Sequence, residues 1–164
     1  MFSIIIPTFN NLNYLRLCLD SIKKNSKFNH EIIVHINDGS DGTFEYIKSK
    51  KINYSHSNKN IGLCSSLNLA VKQSSMKYLL YSHDDMYFCP KWDIYLSEEL
   101  NNTNHDFFYF SGTMIEPFKG AHLTYDCGES ISAFNEKKLV ENFSSLPFYD
   151  HQGTHFAPHL ISKR

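Results

Sequence analysis

Two adjacent carboxylates, Asp84 and Asp85, follow the short apolar run from Tyr78 to Tyr81 after only two intervening residues, Ser82 and His83. Such a run is typical of a buried strand, and two neighbouring anions at its end repel each other and resist burial. Folding alone gives no reason for this pair, whereas a bound divalent cation with hard oxygen ligands would supply one. A solvated Asp-rich turn, common after strands, is the alternative interpretation.

Strand and helix patterns alternate through the first half of the chain. Predicted strands cover residues 2–6, 31–36, 52–56 and 78–81, and helical patterns begin near Asn10 or Asn11, near Ser40 or Asp41, and at Gly62. Pro7 is expected to stop the first strand. The third helix is expected to carry four apolar residues on one face: Leu63, Leu67, Ala70 and Val71. This order builds right-handed crossovers, so we predict an α/β fold with a mostly parallel sheet flanked by helices.

Polar residues follow three of the predicted strands at the point where each strand ends. They are Pro7-Thr8-Phe9-Asn10, Asn37-Asp38-Gly39-Ser40 and His83-Asp84-Asp85. Ligands bind at the carboxyl ends of strands in sheets of this type, so the three clusters predict one site. The sequence has no G-x-G-x-x-G after the first strand and no P-loop, which leaves a cation at the aspartate pair as the means of holding a pyrophosphate. Asp38 is placed to accept hydrogen bonds from a base or ribose.

The composition predicts one globular domain and excludes several classes of partner. The chain has 164 residues, of which 41% are hydrophobic and 20% charged, and its net charge of -1 gives no basic stripe for nucleic acid. No apolar run could span a bilayer, and residues 1–6 lack the basic flank of a signal peptide. We therefore expect a cytoplasmic location, with peripheral membrane association left open. The four cysteines are widely spaced and are expected to be free thiols, buried or half-buried.

The second half of the chain is less regular. Pro90 is expected to start a helix, a strand is expected at residues 107–110, and residues 112–164 are expected to form loops and short elements. Aromatic residues make up 15% of the chain, and many of them fall in this half, where they could line a groove or fill a core. Three histidines at four-residue spacing suggest zinc, but Gly153 and Pro158 interrupt any helix that would align them: His151, His155 and His159.

Four segments of the chain resemble family 2 glycosyltransferases of the GT-A fold, in order and spacing, over about residues 1–100. They are Ser3 to Asn10, Asn37 to Thr43, Asn60-Ile61-Gly62 with Asn68, and His83 to Pro90. The resemblance implies a Rossmann-like GT-A domain spanning residues 1–164, with a nucleotide-sugar-binding half at 1–100 and an irregular acceptor-side half at 101–164. It also implies an inverting transferase that uses Mn²⁺ or Mg²⁺.

The resemblance implies roles for individual residues as well. The nucleotide would be bound by Pro7, Thr8, Asn10, Asp38, Asn60 and Asp84. Asp85 would ligate the metal ion, with Asp84 as a ribose contact or second ligand. The expected partners are a donor, foremost a UDP-sugar, and a sugar, glycan or lipid-linked acceptor. The chain departs from the family pattern at His83, where an Asp is frequent, and at Leu67, where an Arg is frequent.

No residue is identified as the catalytic base. In similar proteins the acidic base comes later in the chain, so we expect it beyond Arg164, expect the chain to be incomplete, and keep Asp150 as the internal candidate. Two alternatives stay open. A nucleotidyltransferase would carry a glycine-rich basic signature after the first strand, which this chain lacks. A non-catalytic nucleotide-sugar- or glycan-binding module, or an inactive remnant, would need no base.

Overall fold

Strands and helices alternate through the first hundred residues, as the sequence predicts. The computed structural model describes residues 1–103, 107–119, 123–147 and 157–163. Its strands are β1 (Phe2–Phe9), β2 (Glu31–Asn37), β3 (Asn53–Ser57), β4 (Tyr78–Tyr81), β5 (Tyr109–Ser111), β6 (Ile115–Glu116), β7 (Leu123–Thr124) and β8 (His159–Ser162). Its helices are α1 (Leu12–Asn25), α2 (Thr43–Lys50), α3 (Leu63–Val71), α4 (Trp92–Asn102) and α5 (Glu136–Asn142), followed by a 3₁₀ turn at Phe143–Ser145.

The main sheet has six strands in the order β3-β2-β1-β4-β8-β5. The first four of these strands are parallel, whereas β8 runs antiparallel to both of its neighbours. The predicted α/β fold with a mostly parallel sheet is therefore confirmed. The sequence did not predict β8, which inserts a strand from the irregular second half beside β4, and β6 and β7 form a separate parallel pair.

Both faces of β1 are buried, which explains its run of three isoleucines. Ile4 and Ile6 join the larger core on one face, together with Leu15 of α1. Ile5 lies on the other face and packs with Ala70 of α3. A parallel strand covered on both faces needs apolar side chains at successive positions, and branched residues suit that environment.

The prediction that Pro7 stops the first strand is wrong, because β1 continues to Phe9. Ile5 accepts a hydrogen bond from the backbone of Ser82 on the β4 side, and the pairing with β4 ends at Ile5 and Tyr81. Pro7 faces that same side two residues later, beyond the last paired residue, so its missing N–H removes no bond from the ladder. The strand meanwhile stays paired with β2 through Phe9 and Asn37.

Asp41 caps two helices, one of which was not predicted. Its carboxylate accepts the backbone N–H of Thr43, at the start of α2, at 3.1 Å, and the backbone N–H of Leu12, at the start of α1, at 2.9 Å. Asn11 occupies the position before α1, but its side chain makes no capping hydrogen bond there. A single carboxylate thus ties the beginnings of α1 and α2 together.

Two side chains at the start of α3 are more exposed than the sequence predicts. Leu63 is 50% exposed, and Cys64 is exposed, so the prediction of buried or half-buried thiols is wrong for Cys64. Both lie in the first turn of the helix, whereas Ser66 and Ala70, four residues apart, are its buried residues. All four cysteines are free thiols, as predicted.

The second half contains more regular structure than predicted. Helix α4 begins two residues after Pro90, close to the predicted start, and β5 is shorter and later than the strand predicted at residues 107–110. Within the described ranges, no helix is both long and apolar enough to cross a membrane.

Candidate functional site

Asp84 is anchored by the end of β1 and the residue before α1. Thr8 Oγ1 donates a hydrogen bond to Asp84 Oδ2 at 2.5 Å, and Asn11 Nδ2 donates to Asp84 Oδ1 at 3.1 Å. Burial raises the pKa of the Asp84 carboxyl, although these two hydrogen bonds act in the opposite direction. Both oxygens of this carboxylate are therefore held in place by neighbours in the protein.

Asp85 is the accessible member of the pair. Its side chain is 56% exposed, and its Oδ1 lies 3.9 Å from His83 Nδ1, which is too long for a hydrogen bond. The two adjacent aspartates therefore have different surroundings. Asp84 is part of the fold, and Asp85 offers its carboxylate to solvent or to a ligand.

The residues at this edge fit a metal ion that takes most of its ligands from substrate and water. Among the described residues, no group of three or more His, Cys, Asp or Glu side chains could hold a metal ion by itself. Mg²⁺ commonly uses one or two carboxylates together with substrate phosphates rather than a cage made only of protein ligands. The exposed carboxylate of Asp85 meets that requirement, with Asp84 beside it.

The turn after β2 is joined to the end of β1 by strained residues. Asn10 and Asp38 both have left-handed backbone, with φ of 47° and 62°, which is uncommon outside glycine. Asn10 Nδ2 donates to Asp38 Oδ2 at 3.1 Å, and the Gly39 N–H donates to Asn10 Oδ1 at 2.9 Å. The hydrogen bond from Asn10 is the main cause that lowers the pKa of Asp38. Strain of this kind persists where neighbours over-determine it, and it clusters at ligand sites.

Asn37 is a buried polar residue at this edge; it belongs to the predicted polar cluster after β2, but no individual role was predicted for it. It is 4% exposed, and its Nδ2 donates to the Thr8 carbonyl at 3.2 Å and to Ser66 Oγ at 3.0 Å. Its Oδ1 accepts from the Ile61 N–H at 3.0 Å and from Ser57 Oγ at 3.2 Å. One amide side chain therefore links the ends of β1 and β3 to the start of α3. A polar residue that closes the apolar run of β2 was the available signal.

The other predicted site residues are dispersed. Pro7 is half-buried within β1, and Asn60 accepts the Gly62 N–H at 2.9 Å in a local turn before α3. No hydrogen bond among the described residues links Asn60 to the aspartates. The candidate base Asp150 lies outside the described residues, as do two of the three histidines of the zinc hypothesis, His151 and His155.

A family model described as "Glycosyl transferase family 2" matches residues 3–146. The chain belongs to glycosyl transferase family 2. Uncharacterized glycosyltransferases of Rickettsia felis and Rickettsia prowazekii are 35% and 32% identical to it, over 88% and 99% of this chain. The chain spans 24% and 51% of the lengths of those two relatives. The resemblance that the four sequence segments indicated is thus confirmed.

Solved structures similar to this family 2 domain show the same fold. Residues 1–349 of S. aureus TarS match with a TM-score of 0.64 at 21% identity, covering 73% of this chain and 37% of that one. The mannosyltransferase PcManGT of Pyrobaculum calidifontis, solved with GDP-Man and Mn²⁺, matches with a TM-score of 0.59 at 17% identity, covering 71% of this chain and 36% of that one. At these identities the likeness concerns the fold alone.

Gly39→Ala should destabilise the fold much more than Gly62→Ala. Both glycines have a positive φ, 87° at Gly39 and 81° at Gly62, and Gly62 combines it with an extended ψ of 163°, so each substitution incurs backbone strain of about 1–3 kcal/mol. At Gly39 an added Cβ would also lie 2.8 Å from Ile36 Cγ2 and 3.1 Å from Phe44 Cβ, whereas nothing lies within 4 Å at Gly62. We expect Gly39→Ala to cost about 3 kcal/mol in total, measured by urea unfolding. Equal losses in the two variants would contradict the close packing of this turn.

Proposed function

We propose that this chain provides the donor site of a transferase that moves a sugar from a nucleotide-diphosphate sugar to an acceptor hydroxyl, with inversion and with metal assistance. Residues 1–100 would form the donor half and residues 101–164 the acceptor-side half of one domain, with a cytoplasmic location. One observation carries the proposal: the ends of β1, β2 and β4 are joined by side-chain hydrogen bonds around an exposed carboxylate, Asp85. Family membership favours sugar transfer over nucleotidyl transfer.

The nucleoside part of the donor would lie along the turn after β2. The carboxylate of Asp38 is held by Asn10 and accepts hydrogen bonds when ionised, which suits the donors of a base or ribose. Thr8 and Pro7 would border the same part of the ligand, and Asn60 would do so from the loop before α3. Asn37 fixes the backbone beneath these residues, so its role would be to position them rather than to contact the nucleotide.

The diphosphate would lie at the end of β4. Asp85 would ligate Mn²⁺ or Mg²⁺, with Asp84 held beside it by Thr8 and Asn11 as a ribose contact or second ligand. When bound, such an ion neutralises charge on the departing nucleoside diphosphate. A general base must take the proton of the attacking hydroxyl, and none of the described residues is assigned to that step. A binding-only module would share this donor geometry and would differ in lacking turnover.

A UDP-sugar is the donor that we propose, with a sugar, glycan or lipid-linked acceptor. TarS has been solved with UDP and with UDP-GlcNAc, which supports a uridine donor. PcManGT has been solved with GDP-Man, so a guanosine donor is the alternative.

A thermal-shift panel of UDP-, GDP- and dTDP-sugars, each with and without Mn²⁺, tests the proposed function. We expect UDP-sugars to raise the melting temperature in the presence of Mn²⁺ and to do so much less without it, because ligands that bind only the folded state stabilise it. If only GDP-sugars stabilise the protein, the nucleobase of the donor is guanine rather than uracil, and the proposed donor site stands. No shift with any donor, at concentrations that saturate related enzymes, would contradict the donor site itself.

A further inference from the structure

His35 is a buried imidazole in an otherwise apolar stretch of β2. Its side chain is fully buried, and its neighbours along the strand are Val34 and Ile36. It lies on the face of the sheet that α3 covers, two residues after Ile33, which packs with Ala70 of that helix. Burying an imidazole costs free energy unless its nitrogens are hydrogen-bonded, whereas an aliphatic residue would fit this position without that requirement.

Both ring nitrogens of His35 contact hydroxyls of β3, the edge strand of the sheet. Nδ1 lies 2.7 Å from Ser55 Oγ, and Nε2 lies 3.3 Å from Ser57 Oγ. Ser57 Oγ directs its single proton to the Lys59 carbonyl at 2.8 Å and to Asn37 Oδ1 at 3.2 Å, so it can only accept from Nε2. Burial lowers the pKa of His35, which keeps the ring neutral and leaves Nδ1 to accept from Ser55. These hydrogen bonds therefore run in one direction, from the edge strand through the ring to Ser57.

The end of β3 holds Asp38 from both sides. The Asp38 N–H donates to the Ser57 carbonyl at 2.8 Å, and the Asp38 carbonyl accepts from His56 Nε2 at 2.9 Å. Asp38 has left-handed backbone with φ of 62°, a conformation that persists where neighbours enforce it. The Lys59 carbonyl that Ser57 binds lies in the loop that carries Asn60. The positions of two proposed nucleotide contacts, Asp38 and Asn60, thus depend on where Ser57 lies.

Packing alone gives β3 little support. The strand has five residues, lies at the edge of the sheet, and contributes one partly buried hydrophobic side chain, Tyr54, to the core. Edge elements with few apolar contacts open more readily than the strands inside a sheet. The side-chain hydrogen bonds from His35 of β2 therefore have a large part in keeping the end of β3 in place.

We propose that His35 is a positioning residue of the donor site, which fixes Ser57 and thereby holds Asp38 and the Asn60 loop in the geometry that a nucleotide needs. The proposal rests on the proposed function. The ring lies beneath α3, so it would act through Ser57 rather than by contact with the nucleotide. A purely structural role predicts lost stability when the ring is removed. A positioning role predicts lost affinity with stability kept, because an apolar replacement of similar volume for a buried polar side chain is often nearly neutral.

Calorimetry with UDP and Mn²⁺, urea unfolding, and amide exchange of the free protein separate these roles in three variants. His35→Leu should weaken UDP binding about fivefold, leave the urea midpoint unchanged, and speed exchange of the Asp38 N–H about tenfold, because Ser57 is released. His35→Gln should retain the unmodified values, since its amide offers one acceptor and one donor as the neutral ring does. Ile33→Val shortens a core side chain on the same face of β2, and it should lower stability without changing UDP affinity.

The positioning role is wrong if His35→Leu binds UDP as tightly as the unmodified protein, or if its affinity falls only together with its urea midpoint. If the unmodified protein binds no UDP, the proposed function fails, and exchange of the Asp38 N–H alone decides whether His35 holds this turn.

The tautomer of the ring gives a test that needs no variant, should His35→Leu fail to fold. Long-range ¹H–¹⁵N spectra of the unmodified protein should show the ring proton on Nε2. A proton on Nδ1 would reverse the hydrogen bonds to both serines and overturn the proposal.

Discussion

Asp85→Asn should abolish most of the metal-dependent binding of UDP while leaving the fold intact. The carboxylate is exposed and has no hydrogen bond within the described residues, so its replacement by an amide removes the proposed metal ligand without disturbing a network. We expect UDP affinity in Mn²⁺ to fall about 100-fold, with an unchanged midpoint of urea unfolding. Isothermal calorimetry with UDP, with and without Mn²⁺, measures the effect.

Two further variants give this experiment its controls. Asp20→Asn changes an exposed aspartate on α1 and should alter neither affinity nor stability. Asp84→Asn should lower both, because it disrupts the hydrogen bonds from Thr8 and Asn11. If Asp85→Asn binds UDP as tightly as the unmodified protein in Mn²⁺, the metal assignment is wrong.

Asp93→Ala should cost about 3 kcal/mol of folding free energy, because it removes a buried hydrogen-bond acceptor. Asp93 lies at the start of α4 and is fully buried. Its Oδ2 accepts the backbone N–H groups of Lys27 and Phe28, each at 2.8 Å, and lies 3.1 Å from His30 Nε2. The substitution would leave the buried His30 ring and two part-buried backbone N–H groups without this acceptor. Urea unfolding measures the loss, and Glu98→Gln, an exposed change on the same helix, should have almost no effect.

The same cluster should make stability depend on pH. The Phe2 N–H donates to His30 Nδ1 at 3.3 Å, so Nε2 carries the proton and the folded ring is neutral. Burial lowers the pKa of His30, although Asp93 opposes this. The His30 ring of the unfolded chain takes up a proton at about pH 6.5. The stability that the neutral folded ring contributes is therefore complete above that pH, and it is lost as the pH falls toward the lower pKa of the folded state.

Urea midpoints at pH 7.5 and 5.5 check this dependence. The unmodified protein should lose stability between the two values, and His30→Gln should lose less, because other histidines contribute the remainder. The hydrogen bonds from Phe28, Lys27 and His30 hold the pKa of Asp93 below its usual range against the effect of burial. The contribution of Asp93 is therefore lost only below about pH 4. If His30→Gln loses as much stability between pH 7.5 and pH 5.5 as the unmodified protein does, the assignment of a neutral, buried His30 ring is wrong.

The first half of the fold could be predicted because its signals are local. Branched apolar runs mark β1, β2 and β4, and helical spacing between them fixes the crossover order, which brings the three polar ends to one edge. Strand β8 could not be predicted in this way. It has four residues, and what stabilises it is pairing with β4 and β5, far away in the sequence.

The difference in surroundings between Asp84 and Asp85 also depends on tertiary contacts. Both are aspartates after the same strand, and only the positions of Thr8 and Asn11 distinguish the anchored carboxylate from the exposed one. Asp93 is a similar case. An acidic residue in the first turn of a helix is expected to lie at the surface, where its charge interacts favourably with the helix dipole. Asp93 is instead buried and accepts hydrogen bonds from the loop before β2.

Amide chemical-shift mapping with UDP and Mg²⁺ is the most direct test of the donor site at the carboxyl edge of the sheet. The two-dimensional ¹H–¹⁵N spectrum should change most at residues 8–11, 37–41 and 84–86, which lie at or just after the carboxyl ends of β1, β2 and β4. Asp85→Asn should remove most of these changes at the same UDP concentration. Changes confined to the opposite end of the sheet, near His30 and Asp93, or no change at saturating UDP, would contradict the proposed site.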